Sequence, residues 1–138
     1  MILVIRISGQ VEIPPKAQEA MYRLNLRKKY TATLVKSTKE NIANLNKVRN
    51  FIAFGEINKE TLLALIEKRA QNTTKKKIDS PSVVEQLEKK SLRDLGLKPF
   101  FRLHPPRGGI NSKLHFPIKK GVLGNNKEKI NDLVRRML

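Results

Sequence analysis

The sequence predicts an α+β fold: a small strand-helix-strand-helix-strand core whose sheet is covered by helices, followed by a helical and basic-loop extension. Three observations predict it. Short β-branched runs alternate with stretches whose apolar residues recur at helical spacing. The alternation fills residues 1–57, which are assigned to the core, and residues 58–138 extend the same domain. Hydrophobic residues make up 39% of 138 positions, and a chain of this size buries roughly two-thirds of the surface it exposes when unfolded, so one real core is feasible.

Each element has its own signal. Ile2, Val4, Ile5 and Ile7 form a β-branched run that ends at Ser8 and Gly9, as a central strand followed by a turn does. Pro14 and Pro15 open a first helix, where Ala17, Ala20, Met21 and Leu24 fall on one stripe at i, i+3, i+4 and i+7. Past a basic cluster, residues 30–35 are Thr-rich and alternate, which predicts the second strand. Ser37 and Glu40 have capping-box spacing ahead of Ile42, Leu45 and Val48, so a second helix starts there. Residues 51–54 make the third strand.

Asn58 is placed to cap a third helix carrying Leu62, Leu63, Leu65 and Ile66, which fades into the polar, basic stretch 72–77. Ser80 before Pro81 starts a fourth helix with Val84 and Leu87 on a narrow apolar face. Residues 95–127 then hold seven Lys or Arg, both His and four Pro with no acid, which reads as loop and not as packed structure. Asn126 caps a last helix with Ile130, Leu133, Val134 and Met137 on one stripe.

Charge narrows the function. Lys and Arg number 29 against 12 Asp and Glu, a formal net charge of +17, and a surplus that repels itself in a compact fold calls for a polyanionic partner. A membrane is disfavoured: no apolar run approaches the ~20 residues that span one, and no helix sets a wide apolar face against a uniformly basic one. The first residues lack the basic segment and cleavage site of a secretory signal, so the chain is expected to stay where it is made. With no Cys there is no disulfide, thiol nucleophile or Cys-based zinc site.

The cations sit in two acid-free windows. Between Glu19 and Glu40 lie Arg23, Arg27, Lys28, Lys29, Lys36 and Lys39; between Asp94 and Glu128 lie Lys98, Arg102, Arg107, Lys113, Lys119, Lys120 and Lys127. A solvated face is the bland reading of such clusters, but at +17 a bound polyanion explains them better. The segment 100–109 joins Phe100, Phe101, Arg102, Leu103, His104, Pro105, Pro106, Arg107, Gly108 and Gly109. It offers guanidinium forks, aromatic rings, stiff prolines and glycines that let amides approach phosphate oxygens, all suited to following RNA. Phe100 and Phe101 cannot both face inward on one strand, so one packs and the other is left to stack.

Catalysis has little support. His104 and His115 have no neighbouring Asp, Glu or Cys in sequence to orient them or complete a metal site, and no cofactor is implied. Gly9, Gln10 and Val11 follow a strand without a G-x-G-x-x-G or P-loop pattern. Glu12 stands where an acylphosphatase-like loop wants arginine, and residues 51–55 lack the basic-Gly opening of an RRM aromatic motif.

Several segments, in order, resemble one family. Residues 2–7, then Leu24, Asn25, Leu26, Arg27 and Lys28, then the stretch 46–56 with Lys47, Arg49 and Phe51, are similar to the L-thirty proteins of the large ribosomal subunit. Segments 102–109, 121–124 and 130–137 resemble the distal region of the longer archaeal form, whose eukaryotic relatives are called L-seven. Asn25 departs from the small or polar residue often found there, and a long basic amino-terminal extension is absent.

The resemblance implies a ferredoxin-like βαβαβ core with a three-stranded antiparallel sheet, and a non-enzymatic, structural role as a cytoplasmic constituent of the ribosome. The implied partners are large-subunit ribosomal RNA, in the region near the smaller ribosomal RNA, and neighbouring ribosomal proteins, with the chain a monomer in the particle. It implies RNA contacts at Arg23, Arg27, Lys28, Lys29, Lys47, Arg49, Lys98, Arg102, His104, Arg107, Gly108, Gly109, Lys113, His115, Lys119 and Lys120, mostly to phosphates and to shape. The distal basic loop, with few packing residues, is expected to become ordered only on RNA. A free-standing RNA-binding regulator or RNA chaperone explains the charge equally well but not the distal motif.

Overall fold

The computed structural model describes residues 1–7, 9, 13–69, 80–87, 89, 94, 97–107, 112–115 and 121–137, the last two spans in part as backbone alone. The first strand, β1 (Ile2–Arg6), is buried at every position, because it is central in the sheet and covered on both faces. Strand β2 (Thr31–Val35) pairs with it antiparallel on one side, Ile5 opposite Ala32. Strand β3 (Ile52–Glu56) does so on the other, with Arg6 opposite Ile52.

The strand-helix alternation of residues 1–57 is present, but the sheet is larger than the three antiparallel strands expected. Among the described residues it has six strands, because the region 95–127 contributes β4 (Phe101–Arg102), β5 (Ser112–His115) and β6 (Gly121–Asn125), in the order β4-β2-β1-β3-β6-β5. β4 joins β2 antiparallel, whereas β6 runs parallel to β3 with Ala53 opposite Gly124. The reading of that region as loop is therefore corrected. A two-residue strand leaves no period to detect, and two of the five residues of β6 are glycine, so both owe their strand state to distant partners and not to local propensity.

Helices cover both faces. Helix α1 (Pro15–Arg23) has proline at its first position, where the missing N–H costs nothing. It ends in a Schellman motif: Leu26 N–H donates to the Met21 carbonyl at 2.9 Å and Asn25 N–H to the Tyr22 carbonyl at 3.0 Å. Asn25 takes the left-handed turn position at φ 62°, which asparagine tolerates better than most side chains. Helix α2 (Lys39–Lys47) is capped by Thr38, whose hydroxyl accepts from Asn41 N–H at 3.2 Å, and not by Ser37 as the spacing predicted. These two helices pack Met21, Leu26, Leu45 and Val48 on Ile2, Val4, Ile52 and Phe54.

The opposite face, with Leu3, Ile5, Ile7, Ala32 and Ala53, is covered by α3 (Lys59–Arg69), α4 (Ser80–Gln86) and α5 (Ile130–Met137), together with Phe101 and Leu103. Asn58 caps α3 as expected, its Oδ1 accepting from Thr61 N–H at 2.8 Å. Asn126 makes no such cap ahead of α5. Its Nδ2 donates to the Gly124 carbonyl, and Asn125 Oδ1 takes the Lys127 N–H at 2.9 Å above the 3-10 turn that leads into the helix. The Gly55 backbone is pressed against that turn: a Cβ there would collide with the Lys127 carbonyl and crowd Ile130.

Candidate nucleic-acid interface

The register places many chain reversals at one end of the sheet. β1 ends there at Arg6, β2 and β3 begin there, β4 leaves from there, and β6 starts there. Arg6 organises this end from within. Its side chain is fully buried, and Nη1 donates to the carbonyls of Leu26 at 2.7 Å and Arg27 at 2.9 Å while Nη2 donates to Gly9 at 3.0 Å. Burial pushes the guanidinium pKa below the usual arginine value, with nearby Tyr22 acting in the opposite sense. A buried cation is tolerable because backbone carbonyls replace its water. In return, the segment after α1 is held in a fixed path that leaves Arg27, Lys28 and Lys29 exposed.

The second acid-free window arrives through β4. Arg102 lies opposite Thr31, and Leu103 N–H donates to the Tyr30 carbonyl at 3.0 Å. Phe101 is buried and Phe100 half-buried with the Arg102 guanidinium carbon 5.7 Å from its ring centre, so the two rings divide as alternation required. Beyond β4 the chain is pinned to the end of α5. His104 N–H donates to the Met137 carbonyl at 3.0 Å, Arg107 N–H to the Arg136 carbonyl at 2.9 Å, and Arg136 Nε to the Arg107 carbonyl at 2.9 Å. Carbonyls that a helix terminus leaves open are thus used to anchor the basic segment, in which Pro106 is buried.

The sequence-predicted residues now have positions. Arg27, Lys28, Lys29, Arg102, His104 and Arg107 are exposed at this one end, and Lys47 and Arg49, at the close of α2 and in the turn before β3, join them. Arg23 is exposed but paired with Glu19 at 2.7 Å, one helical turn away; such a pair contributes little and exchanges readily for another anion. Lys98 is half-buried and is not brought to this end, since it precedes β4 on the side where β2 finishes. For Lys113 and His115 the backbone alone is described, in β5. Gly108, Gly109, Lys119 and Lys120 lie outside the described residues.

At the other end Glu56 closes β3, Glu60 lies in the first turn of α3, and Glu128 and Asp132 flank the start of α5, where the exposed Lys36, Lys39, Lys59, Lys127 and Lys129 accompany them. Among the described residues no group of His, Cys, Asp or Glu is arranged to hold a metal ion, and no helix is long and apolar enough to cross a membrane. The arrangement can bind extended anions.

Comparison with known proteins fits this geometry. The pattern of the family Ribosomal protein L30p/L7e matches residues 2–52. Over 99% of its length the chain is 37% identical to the Large ribosomal subunit protein uL30 of Archaeoglobus fulgidus, of which 99% is covered. The chain belongs to the L30p/L7e family. It is also 39% identical to the uL30 protein of Thermofilum pendens, covering 100% of this chain and 99% of that one. For Pyrobaculum islandicum the identity is 34%, covering 98% and 92%. The family pattern stops inside β3, while the archaeal uL30 relatives match through the distal strands and α5, in agreement with the longer form that the distal residues resembled. L30p/L7e proteins are ribosomal proteins and not enzymes.

One contributor was missed by sequence reading. Arg6 does not stand out inside an apolar run, although the run itself holds the signal: an arginine in a strand buried on both faces has no route to water and must find carbonyls.

Proposed function

We propose that this chain is a structural constituent of the large ribosomal subunit, carried in cytoplasmic ribosomes, that binds large-subunit ribosomal RNA and braces its fold beside neighbouring ribosomal proteins. The observation that carries this reading is the pairing of β4 with β2, which brings the basic segment before β2 and the basic segment after β4, some seventy positions apart in sequence, to one end of the sheet. Contacts run mainly to phosphates and to the shape of the RNA, because long exposed Lys and Arg side chains match phosphates without reading sequence.

The test is co-sedimentation of the purified chain with large subunits stripped of their own copy. The native chain is expected to pellet with the subunits, and the Arg102→Ala, Arg107→Ala double variant to be released at markedly lower salt. Binding by the double variant indistinguishable from native would contradict the role of the distal segment. Binding to isolated RNA with no retention on subunits would favour a free-standing RNA-binding regulator.

A further inference from the structure

Two large apolar side chains are exposed among the described residues, Tyr22 at 41% and Ile42 at 38%. Tyr22 stands on the last turn of α1, at the cationic end, with its hydroxyl held by Gln18 Nε2 at 2.8 Å so that the ring cannot tilt freely. The Arg27 guanidinium carbon lies 6.0 Å from the ring centre. Two other rings at this face also carry a cation, Lys29 over Tyr30 at 5.0 Å and Arg102 over Phe100 at 5.7 Å. Tyr30 and Phe100 are half-buried, and Tyr30 packs on the core, so cohesion of the fold accounts for those rings. It does not account for a tyrosine left open to solvent among cations.

We propose that Tyr22 and Arg27 form a stacking platform for an unpaired RNA base, with Lys28 and Lys29 holding the phosphates on either side. The ligand of this face is then a non-helical RNA segment with at least one unstacked nucleotide. An uninterrupted A-form helix hides the faces of its bases and gives an exposed ring nothing to stack on, whereas splayed bases in loops and bulges are routinely taken up by aromatic rings and guanidinium planes. This rests on the RNA reading above and names the part of the RNA that the face receives.

The experiment uses the full chain and two synthetic RNAs with the same stem, one fully paired and one carrying an internal loop of unpaired adenosines. The protein has no Trp and two Tyr, so a Tyr30→Phe variant leaves Tyr22 as the single tyrosine fluorophore. Its emission is expected to be quenched by the looped RNA and little changed by the paired one. Tyr22→Ala is expected to weaken binding of the looped RNA by about tenfold, leave the paired RNA within about twofold, and be rescued by Tyr22→Phe. Equal weakening of both RNAs, or no change in either while both still bind, overturns the platform and leaves RNA binding intact. Failure of the native chain to bind either RNA at low ionic strength overturns the RNA reading and the platform with it.

Discussion

Arg6→Met removes a side chain that no RNA can touch, yet it is expected to damage both the fold and the RNA-binding face. Methionine fills much of the same volume, so the loss is chiefly of hydrogen bonds, among them the three to Leu26, Arg27 and Gly9. Bonds from a charged donor contribute about 1.5–3 kcal/mol each. The three act as one network, and the substitution also relieves the cost of burying a cation, the cost that depresses the pKa of Arg6. A net loss of about 3 kcal/mol is expected, and for a chain of this length that lowers the melting temperature by about 10 °C.

The second consequence follows from geometry. With the carbonyls of residues 26 and 27 released, Arg27, Lys28 and Lys29 lose their fixed path, and RNA affinity should fall about tenfold although no exposed charge has been removed. Denaturant unfolding followed by circular dichroism gives the first number and filter binding gives the second. Arg6→Lys is the control, because it keeps the net charge but cannot span three carbonyls with a rigid fork. A Met variant within about 0.5 kcal/mol of native stability, or a Lys variant with native affinity, would refute the reasoning.

Two further outcomes follow from the join between the sheet and the distal half. Gly55→Ala puts a Cβ into the Lys127 carbonyl and is expected to destabilise by about 1–3 kcal/mol in denaturant unfolding, whereas an unchanged midpoint would mean the 3-10 turn can give way. Asn131→Ala cuts a clamp in which Asn131 accepts from Asn58 N–H and donates to the carbonyls of Glu56 and Glu128. Its expected cost is about 2 kcal/mol, with amide exchange accelerated first in α5.

What was legible in the sequence follows physical lines. β1 and the helix stripes were plain because each rests on local periodicity, and Pro15 and Asn58 marked helix starts by their own chemistry. The cap of α2 falls one residue from where the spacing put it, on Thr38 and not Ser37, since adjacent residues of the same capping class differ in backbone direction and not in composition, and a 3-10 turn stands between Asn126 and α5. β4 and β6 were invisible because β2 and β3 create them. The site was half legible. Arg27, Lys28, Lys29, Arg102 and Arg107 stand out in the charge windows and are exposed, but only the β2–β4 register brings them together. Lys98 shared the window without sharing the place, and Tyr22 carried no signal beyond lying on the edge of a helix stripe.

The central claim is that both windows act as one phosphate-binding surface, and the salt dependence of binding to a large-subunit ribosomal RNA fragment tests it most directly. Each phosphate contact adds roughly 0.7–0.9 to the slope of log affinity against log salt. Paired substitutions Lys28→Ala with Lys29→Ala, and Arg102→Ala with Arg107→Ala, should therefore each flatten the slope by about 1.4–1.8, and the fourfold variant by the sum. A slope that responds to one pair and ignores the other would contradict the account.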